Sequence, residues 1–175
     1  VDGIFVARGV SETALTAVNI AMPYTMALFS VSILFAVGTS TVTAIFLGEK
    51  NGRKANEAFT QNIMLLTVVS VAVTAFVMLN LEQVAEFLGA TSFNKDYVVE
   101  YLRALAPFSG AFILSYSLEM LIKTDGFPKR ATMIVTTGAL LNVVLDYLMV
   151  MRWHMGVGGA ALATGISNTV VIALY

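Results

Sequence analysis

The sequence predicts an all-α fold, a polytopic bundle of helices that crosses a membrane several times. Of the 175 residues, 58% are hydrophobic and 12% are charged, whereas a soluble domain has about 45–50% apolar and about 25% charged residues. Charged residues are absent between residues 12 and 49, from 58 to 81 and from 153 to 175. A helix needs about 20 apolar residues to cross a hydrocarbon core about 30 Å thick, and apolar runs of about this length recur along the chain.

Five helical spans are predicted in chain order. They cover residues 14–47, 55–79, 98–122, 129–151 and 158–175. The first is long for one crossing, so we expect it to be tilted or to begin at the interface, with Pro23 as a candidate kink. Pro107 lies inside the third span, and Pro128 takes the favoured first-turn position before the fourth.

The two ends of the sequence look like interrupted helices. Residues 1–9 resemble the end of an earlier helix, and no polar segment follows the last span. We therefore expect a fragment of a longer protein that represents about six helices, organised as a single membrane domain over residues 1–175.

Lys and Arg concentrate in two of the predicted loops, "GEKNGRKANE" and "KTDGFPKRA". Cytoplasmic loops of membrane proteins carry an excess of these residues. The pattern predicts that loops 48–57 and 123–130 are cytoplasmic and that 1–13, 80–97 and 152–158 lie outside. The expected location is the cytoplasmic (inner) cell membrane, with multiple crossings.

Composition and motifs argue against several classes of protein. The net charge of −1 gives no bulk attraction for nucleic acid. The chain has no cysteine and one histidine, so thiolate and His-rich metal sites are not available. The segment "GVGGAA" fits a loose dinucleotide pattern but lacks a preceding strand, and an uncharged span follows it. No nucleophile paired with a base, P-loop or zinc spacing is present, so we expect no enzymatic activity.

The segment "LLNVVLDYLMV" places Asn142 and Asp146 one helical turn apart within an apolar run. An ionised carboxylate near the bilayer centre costs at least ~2.5–3.5 kcal/mol and usually faces the bundle interior. At a rise of about 1.5 Å per residue, Asp146 lies about 25 Å along its helix from Lys129, in the outer half of the membrane. The alternative is a buried helix-to-helix hydrogen bond, but the added carboxylate favours a functional site. Such oxygens suit Na⁺ or a proton better than a soft metal.

Three other polar residues support two interpretations each. Asp2 is either part of a site or a solvated helix terminus, and the sequence alone favours neither. Thr164 and Asn168 are spaced i, i+4 on the last span, where ordinary interhelical packing is by itself the better account.

Two further polar side chains have a simpler interpretation. Glu119 precedes Lys123 by one turn, so an ion pair within one helix is expected. Tyr101 and Asn168 are candidate cavity residues, although an interfacial aromatic belt is the more usual place for tyrosine.

Three segments together resemble one family of transporters. "DGIFVARGVSETALTAVNIAMP", "GTSTVTAIFLGEKNGRKANEAFTQNI" and "GFPKRATMIVTTGALLNVVLDYLMVMRWHMGVGGAALATGISN" are similar to the multidrug and toxic compound extrusion (MATE) family. The resemblance runs nearly end to end. The acidic residue near the start and the Asn/Asp pair make it closest to the DinF-like prokaryotic branch.

The resemblance implies the N-terminal six-helix lobe of a twelve-helix antiporter, from the end of helix one to most of helix six. It implies exchange of Na⁺ or H⁺ for organic, often cationic, drugs or toxins, by a protein that works as a monomer in lipid and needs no cofactor. The implied cation-coupling site consists of the side chains of Asp2, Asn142, Asp146 and Thr164 and the backbone carbonyl of Ala160. The same four side chains are the expected ligands of Na⁺.

Other functions remain alternatives on the sequence. A lipid-linked oligosaccharide or peptidoglycan-precursor flippase of the same superfamily would be expected to line its cavity with several basic residues, and the spans here are acidic or neutral. A purely structural membrane subunit would leave Asp146 without a role. An ion channel would need a filter or charge ring, and no such segment is visible.

Overall fold

A computed structural model describes the backbone of residues 2–175 and the side chains of residues 3–175. Within that part of the chain, every regular element is helical. The eight α-helices are α1 (Asp2–Gly9), α2 (Glu12–Gly48), α3 (Gly52–Leu79), α4 (Leu81–Phe87), α5 (Lys95–Leu105), α6 (Ser109–Thr124), α7 (Pro128–Asp146) and α8 (Gly156–Leu174). A 3₁₀ turn at Ala106–Phe108 joins α5 to α6, and a π-helical segment at Tyr147–Arg152 follows α7.

Five stretches of the described chain are long and apolar enough to cross a membrane, which confirms the predicted number of spans. They are Glu12–Gly48, Gly52–Leu79, Lys95–Thr124, Pro128–Arg152 and Gly156–Leu174. Each begins and ends within a few residues of its predicted bounds. The chain is therefore a multi-pass membrane protein with an all-α fold.

The two interior prolines have different effects on the helices. α2 continues through Pro23 without a break in its assigned helical structure. At Pro107 the helix tightens into the 3₁₀ turn, because proline has no N–H to continue the α-helical hydrogen bonds. The carbonyl of Ala106 accepts hydrogen bonds from the hydroxyls of Ser109 and Thr74, so this turn is also tied to α3.

The predicted outer loop 80–97 contains one helix that the sequence reasoning missed. α4 is seven residues long, too short for helical periodicity to identify it. Lys95, at the start of α5, donates hydrogen bonds to Glu82 and Glu86 at 2.8 and 2.9 Å and holds α4 in place. The hydrogen bond and positive charge of Lys95 hold the pKa of Glu82 below its usual range. On the same segment the side chain of Phe87 is 90% exposed.

The core lies where α2 and α8 pack against their neighbours. α2 packs mainly on α3 and α6, and α8 packs on α5, α6 and α7. Polar side chains join these helices inside the bundle: Asn62 donates to Ser117 at 2.7 Å and Ser32 donates to the carbonyl of Ile113 at 2.6 Å. These contacts hold α2 and α3 against α6. The candidate site residues Asn142, Asp146 and Thr164 lie on the neighbouring pair, α7 and α8.

Candidate cation-coupling site

The site begins with the two polar residues near the end of α7. Asp146 is completely buried, so it faces the interior of the bundle rather than lipid. Asn142, one turn earlier, is half-buried and donates from Nδ2 to Oγ1 of Thr164 on α8, at 3.0 Å. The structure therefore brings Asn142 and Thr164 together across the α7–α8 contact.

The α8 side of the site is made by residues on successive turns. Ala160 is fully buried, and Thr164 is half-buried one turn later. Asn168, a further turn along, donates from Nδ2 to the carbonyl of Thr164 at 2.9 Å. The predicted Thr164–Asn168 pair is thus a contact within one helix, and Thr164 also makes the contact to α7.

Asp2 is the remaining predicted member of the site. Its backbone belongs to α1, but its side chain lies outside the described residues. α1 packs against α2, α8 and the π-helical segment, with a smaller contact to α7. A role for the Asp2 carboxylate therefore stays a prediction.

The chain leaves regular α-helix directly after Asp146. We predicted α-helix to residue 151, but the structure has the π-helical segment from Tyr147. Neighbouring helices pack closely on both sides of it. A Cβ on Gly9 of α1 would lie 2.9 Å from Cγ1 of Val150, and a Cβ on Gly159 of α8 would lie 3.3 Å from Cβ of Met149. π-Helical turns are rare and are frequent at functional sites, so this segment adds a second unusual feature next to the buried carboxylate.

A cavity of about 320 Å³ opens beside Asn142 and Thr164. Its lining comes from α2, α6, α7 and α8, and Asn168 belongs to it. Glu119 is the charged residue of the lining, and its carboxylate accepts a hydrogen bond from Lys123, as predicted. Tyr101, the other candidate cavity residue, lies outside this lining and is buried in the core at 5% exposure.

Comparison with known families identifies the family to which the chain belongs. The MatE family model matches residues 1–148, which include α1 and both polar residues of α7. The chain belongs to the MatE family. The resemblance in the sequence is thereby confirmed at the level of the family.

Curated relatives of this MatE chain include multidrug export proteins. The chain is 27% identical over 164 residues to "Multidrug export protein MepA" of Staphylococcus saprophyticus, covering 92% of this chain and 36% of the relative. The identity to MepA of Staphylococcus aureus strain NCTC 8325 is 27% over 161 residues, with the same coverage. The chain thus spans just over a third of the length of these relatives.

Solved MATE structures match this MatE chain over almost all its residues. A MATE crystal structure in the bent conformation aligns with a TM-score of 0.93 at 25% identity, covering 99% of this chain and 38% of that one. An inward-facing multidrug resistance MATE transporter gives 0.92 at 25% identity, covering 99% of this chain and 39% of that one. An outward-facing one gives 0.90 at 26% identity, covering 98% and 38%. The fold is therefore that of the N-terminal lobe of a MATE transporter.

Sequence reasoning missed one residue that shapes the MatE site region. Glu100 of α5 accepts a hydrogen bond from the backbone N–H of Gly158 at 3.2 Å, in the first turn of α8. A carboxylate there satisfies an unpaired N–H and complements the helix dipole. A Cβ on Gly158 would lie 3.0 Å from Oε1 of Glu100, so the carboxylate packs closely against this turn. The two residues are 58 positions apart in the sequence, so no local pattern predicts this contact.

The donor set of the MatE site suits a hard monovalent ion or a proton. Among side chains 3–175, no three His, Cys, Asp or Glu residues cluster as a group able to hold a metal ion. The predicted site instead combines the Asp146 carboxylate with the amide of Asn142 and the hydroxyl of Thr164, and the contact between Asn142 and Thr164 is present in the structure. As ligands, such oxygens would match Na⁺ or H⁺ better than a transition metal.

Proposed function

We propose that this chain forms the ion-coupling lobe of an antiporter that exports organic, often cationic, compounds across the cytoplasmic membrane in exchange for Na⁺ or H⁺. One observation carries the proposal. Asp146 is fully buried between membrane-spanning helices, one turn from an amide that contacts Thr164 on the neighbouring helix. A carboxylate in that setting is costly, and ion coupling gives it a role.

The chemistry of the site supports binding of either ion. The amide nitrogen of Asn142 is engaged with Thr164, which leaves its oxygen as the atom that can coordinate a cation. With Asp2 as a second carboxylate, the site would contain two acidic groups that can share a proton. The coupling ion would be H⁺ when the pair shares a proton and Na⁺ when both carboxylates are ionised.

Coupling requires that a bound ion favour one arrangement of the helices over another. Asp2, Asp146 and Thr164 belong to α1, α7 and α8, so an ion held between them would draw these three helices together. The close packing of the π-helical segment between α1 and α8 would carry that change to the outer ends of both helices. We propose that ion occupancy repacks this group and narrows the cavity beside Asn142.

The absence of basic residues from the cavity lining favours export of organic cations over transport of a pyrophosphate-linked lipid. The lining contains no Lys or Arg, and its carboxylate, Glu119, is paired with Lys123. A flippase for an anionic precursor would need basic residues there. The MepA relatives are named as multidrug export proteins, so we propose small drug-like molecules as substrates. We further propose a monomer in lipid, with no enzymatic step.

Ethidium efflux from cells that carry the full-length protein tests the coupling site. We expect Asp146→Asn and Asp2→Asn each to reduce efflux about tenfold or more, because an amide cannot exchange a proton or balance the charge of Na⁺. Asp96→Asn is the control, since Asp96 is an exposed acid at the start of α5. Efflux should be followed under a pH gradient and under an Na⁺ gradient separately. Parental efflux by both variants under each gradient would refute the coupling site.

A further inference from the structure

A second cavity, of about 370 Å³, lies near the two basic loops, where α2 and α6 end and α3 begins. It shares no lining residue with the cavity beside Asn142. Much of its wall is apolar and includes Leu47, Phe59 and Leu121. Its polar lining comes from Thr43 of α2, Asn56 of α3 and Asp125, which directly follows the end of α6. We call it the α2–α3–α6 cavity.

The hydroxyl of Thr43 has no hydrogen-bond partner within the described chain, although the residue is only 8% exposed. A threonine in a helix usually donates its hydroxyl to a carbonyl one turn earlier, as Thr41 of the same helix does to Val37 at 2.8 Å. Buried polar atoms nearly always have a partner. The hydroxyl of Thr43 is therefore available to a molecule bound in the cavity.

Asp125 is exposed at the end of α6 and adds a carboxylate to the lining of the α2–α3–α6 cavity. Within side chains 3–175, the ion pairs of this region join Arg53 to Glu57 and Lys123 to Glu119. Lys54 is positioned over the ring of Phe46 instead. No ion pair of the described chain includes Asp125, so the cavity offers one carboxylate to a cationic ligand.

We propose that the α2–α3–α6 cavity binds a small amphipathic ammonium compound. The ammonium would donate to the carboxylate of Asp125 and to the hydroxyl of Thr43, and its hydrocarbon part would lie against Phe59 and Leu121. The volume is near the lower limit of small-molecule sites, which is about 300 Å³, so a single-ring amine is the expected size. The ring of Phe59 in the wall also favours a cation over a neutral molecule.

This site is separate from the coupling site and does not depend on Asp146. Its test uses the full-length protein in inside-out vesicles, with Leu47→Cys as the single cysteine. A water-soluble methanethiosulfonate reagent labels the cysteine, and 2-phenylethylamine, protonated at pH 7, competes with it. We expect the amine to slow labelling several-fold at saturation. The neutral counterpart 2-phenylethanol should protect much more weakly.

Two variants in the Leu47→Cys background identify the groups that bind the amine. Asp125→Asn and Thr43→Val should each raise the half-protecting concentration of the amine about fivefold, as loss of one partly solvated ion pair or hydrogen bond would. Asp96→Asn and Thr41→Val are the matched controls and should leave it unchanged. A Lys129→Cys reporter, on an exposed residue outside the cavity lining, should show no protection.

The other outcomes overturn the proposal. Equal protection by amine and alcohol would show an apolar pocket without cation selectivity. Protection that survives both Asp125→Asn and Thr43→Val would place the amine elsewhere, and a cysteine at position 47 that gains no protection would show that the cavity does not bind it. None of these results bears on efflux through Asp146, so the two proposals fail separately.

Discussion

The hydrogen bond from Asn142 to Thr164 is the polar contact between α7 and α8 at the candidate site. Interhelical hydrogen bonds inside membranes contribute about 0.6 kcal/mol on average and up to about 2 kcal/mol. The contact is therefore too weak to account for the fold. Its place beside a fully buried carboxylate gives it a more specific importance, because the same hydroxyl would coordinate the ion.

Substitution of Thr164 separates these two contributions. Thr164→Val removes the hydroxyl at nearly constant volume, so we expect a loss of about 1 kcal/mol in stability and at least a severalfold weaker apparent affinity for the coupling ion. Thr164→Ser keeps the hydroxyl and should retain most of both. The measurements are thermal unfolding of the purified full-length protein and efflux at graded Na⁺ concentration and pH.

Thr169→Val provides the control for that substitution. The Thr169 hydroxyl donates to the carbonyl of Gly165 within α8, at 2.9 Å, and the residue is exposed. Thr169→Val should therefore leave the ion dependence of efflux unchanged. If Thr164→Val showed the parental ion dependence while Asp146→Asn did not, Thr164 would be a packing residue and not a ligand.

The residues of the site differ in how far the sequence reveals them. Asp146 and Asn142 are visible because a carboxylate and an amide one turn apart stand out in an apolar run. Thr164 has an ordinary packing interpretation by itself and gained a role only through the family resemblance. Glu100 was missed, because its partner is a backbone N–H 58 residues away and an acid near the start of a predicted span suggests only solvation at the interface.

At the scale of elements, the α7–α8 pair depends on the absence of a side chain at Gly138. A Cβ there would lie 2.2 Å from Cγ2 of Val171, well inside van der Waals contact. Small residues at such points let membrane helices approach closely. This close approach supports the alignment of Asn142 with Thr164 one turn further along α7.

Gly138→Ala is predicted to force the two helices apart. Overpacking of this kind costs about 1–3 kcal/mol, and thermal unfolding of the purified full-length protein should show the loss. Gly138→Ala combined with Val171→Ala should recover part of it, because the second substitution removes the clashing methyl group. Gly38→Ala is the matched control, since Gly38 lies within α2 with nothing within 4 Å of an added Cβ. Equal effects at positions 38 and 138 would contradict the proposed close packing.

The elements that the sequence did not reveal are the short and irregular ones. Long apolar runs identify the five spans, because burial in lipid leaves few other conformations for them. α4 has too few residues for such a pattern, and two ion pairs to Lys95 hold it. The π-helical segment has a sequence that suits an α-helix equally well. Its conformation accompanies close packing between Gly9 and Gly159, which only the assembled bundle specifies.

At the scale of the whole molecule, this chain matches inward-facing and outward-facing MATE structures almost equally well, with TM-scores of 0.92 and 0.90. The fold of this lobe is thus compatible with both states of those transporters. The repacking of α1, α7 and α8 that we propose would take place within this fold.

The orientation of this lobe determines whether Asp146 lies nearer the outer or the cytoplasmic surface of the membrane. The distribution of Lys and Arg places loops 48–57 and 123–130 in the cytoplasm, so Asp146 should lie nearer the outer surface. Glu49 and Ser92 are both exposed. Glu49 lies in the loop before α3, and Ser92 lies in the loop between α4 and α5, so the two residues flank the α3 span. Since the described chain contains no cysteine, Glu49→Cys and Ser92→Cys can report the two sides.

In the full-length protein without other cysteines, Ser92→Cys should react with a membrane-impermeant maleimide in intact cells. Glu49→Cys should react only after permeabilisation or in inside-out vesicles. The ethidium efflux of both variants provides the control that they retain the native arrangement. The reverse pattern would place Asp146 near the cytoplasm and would contradict the predicted orientation.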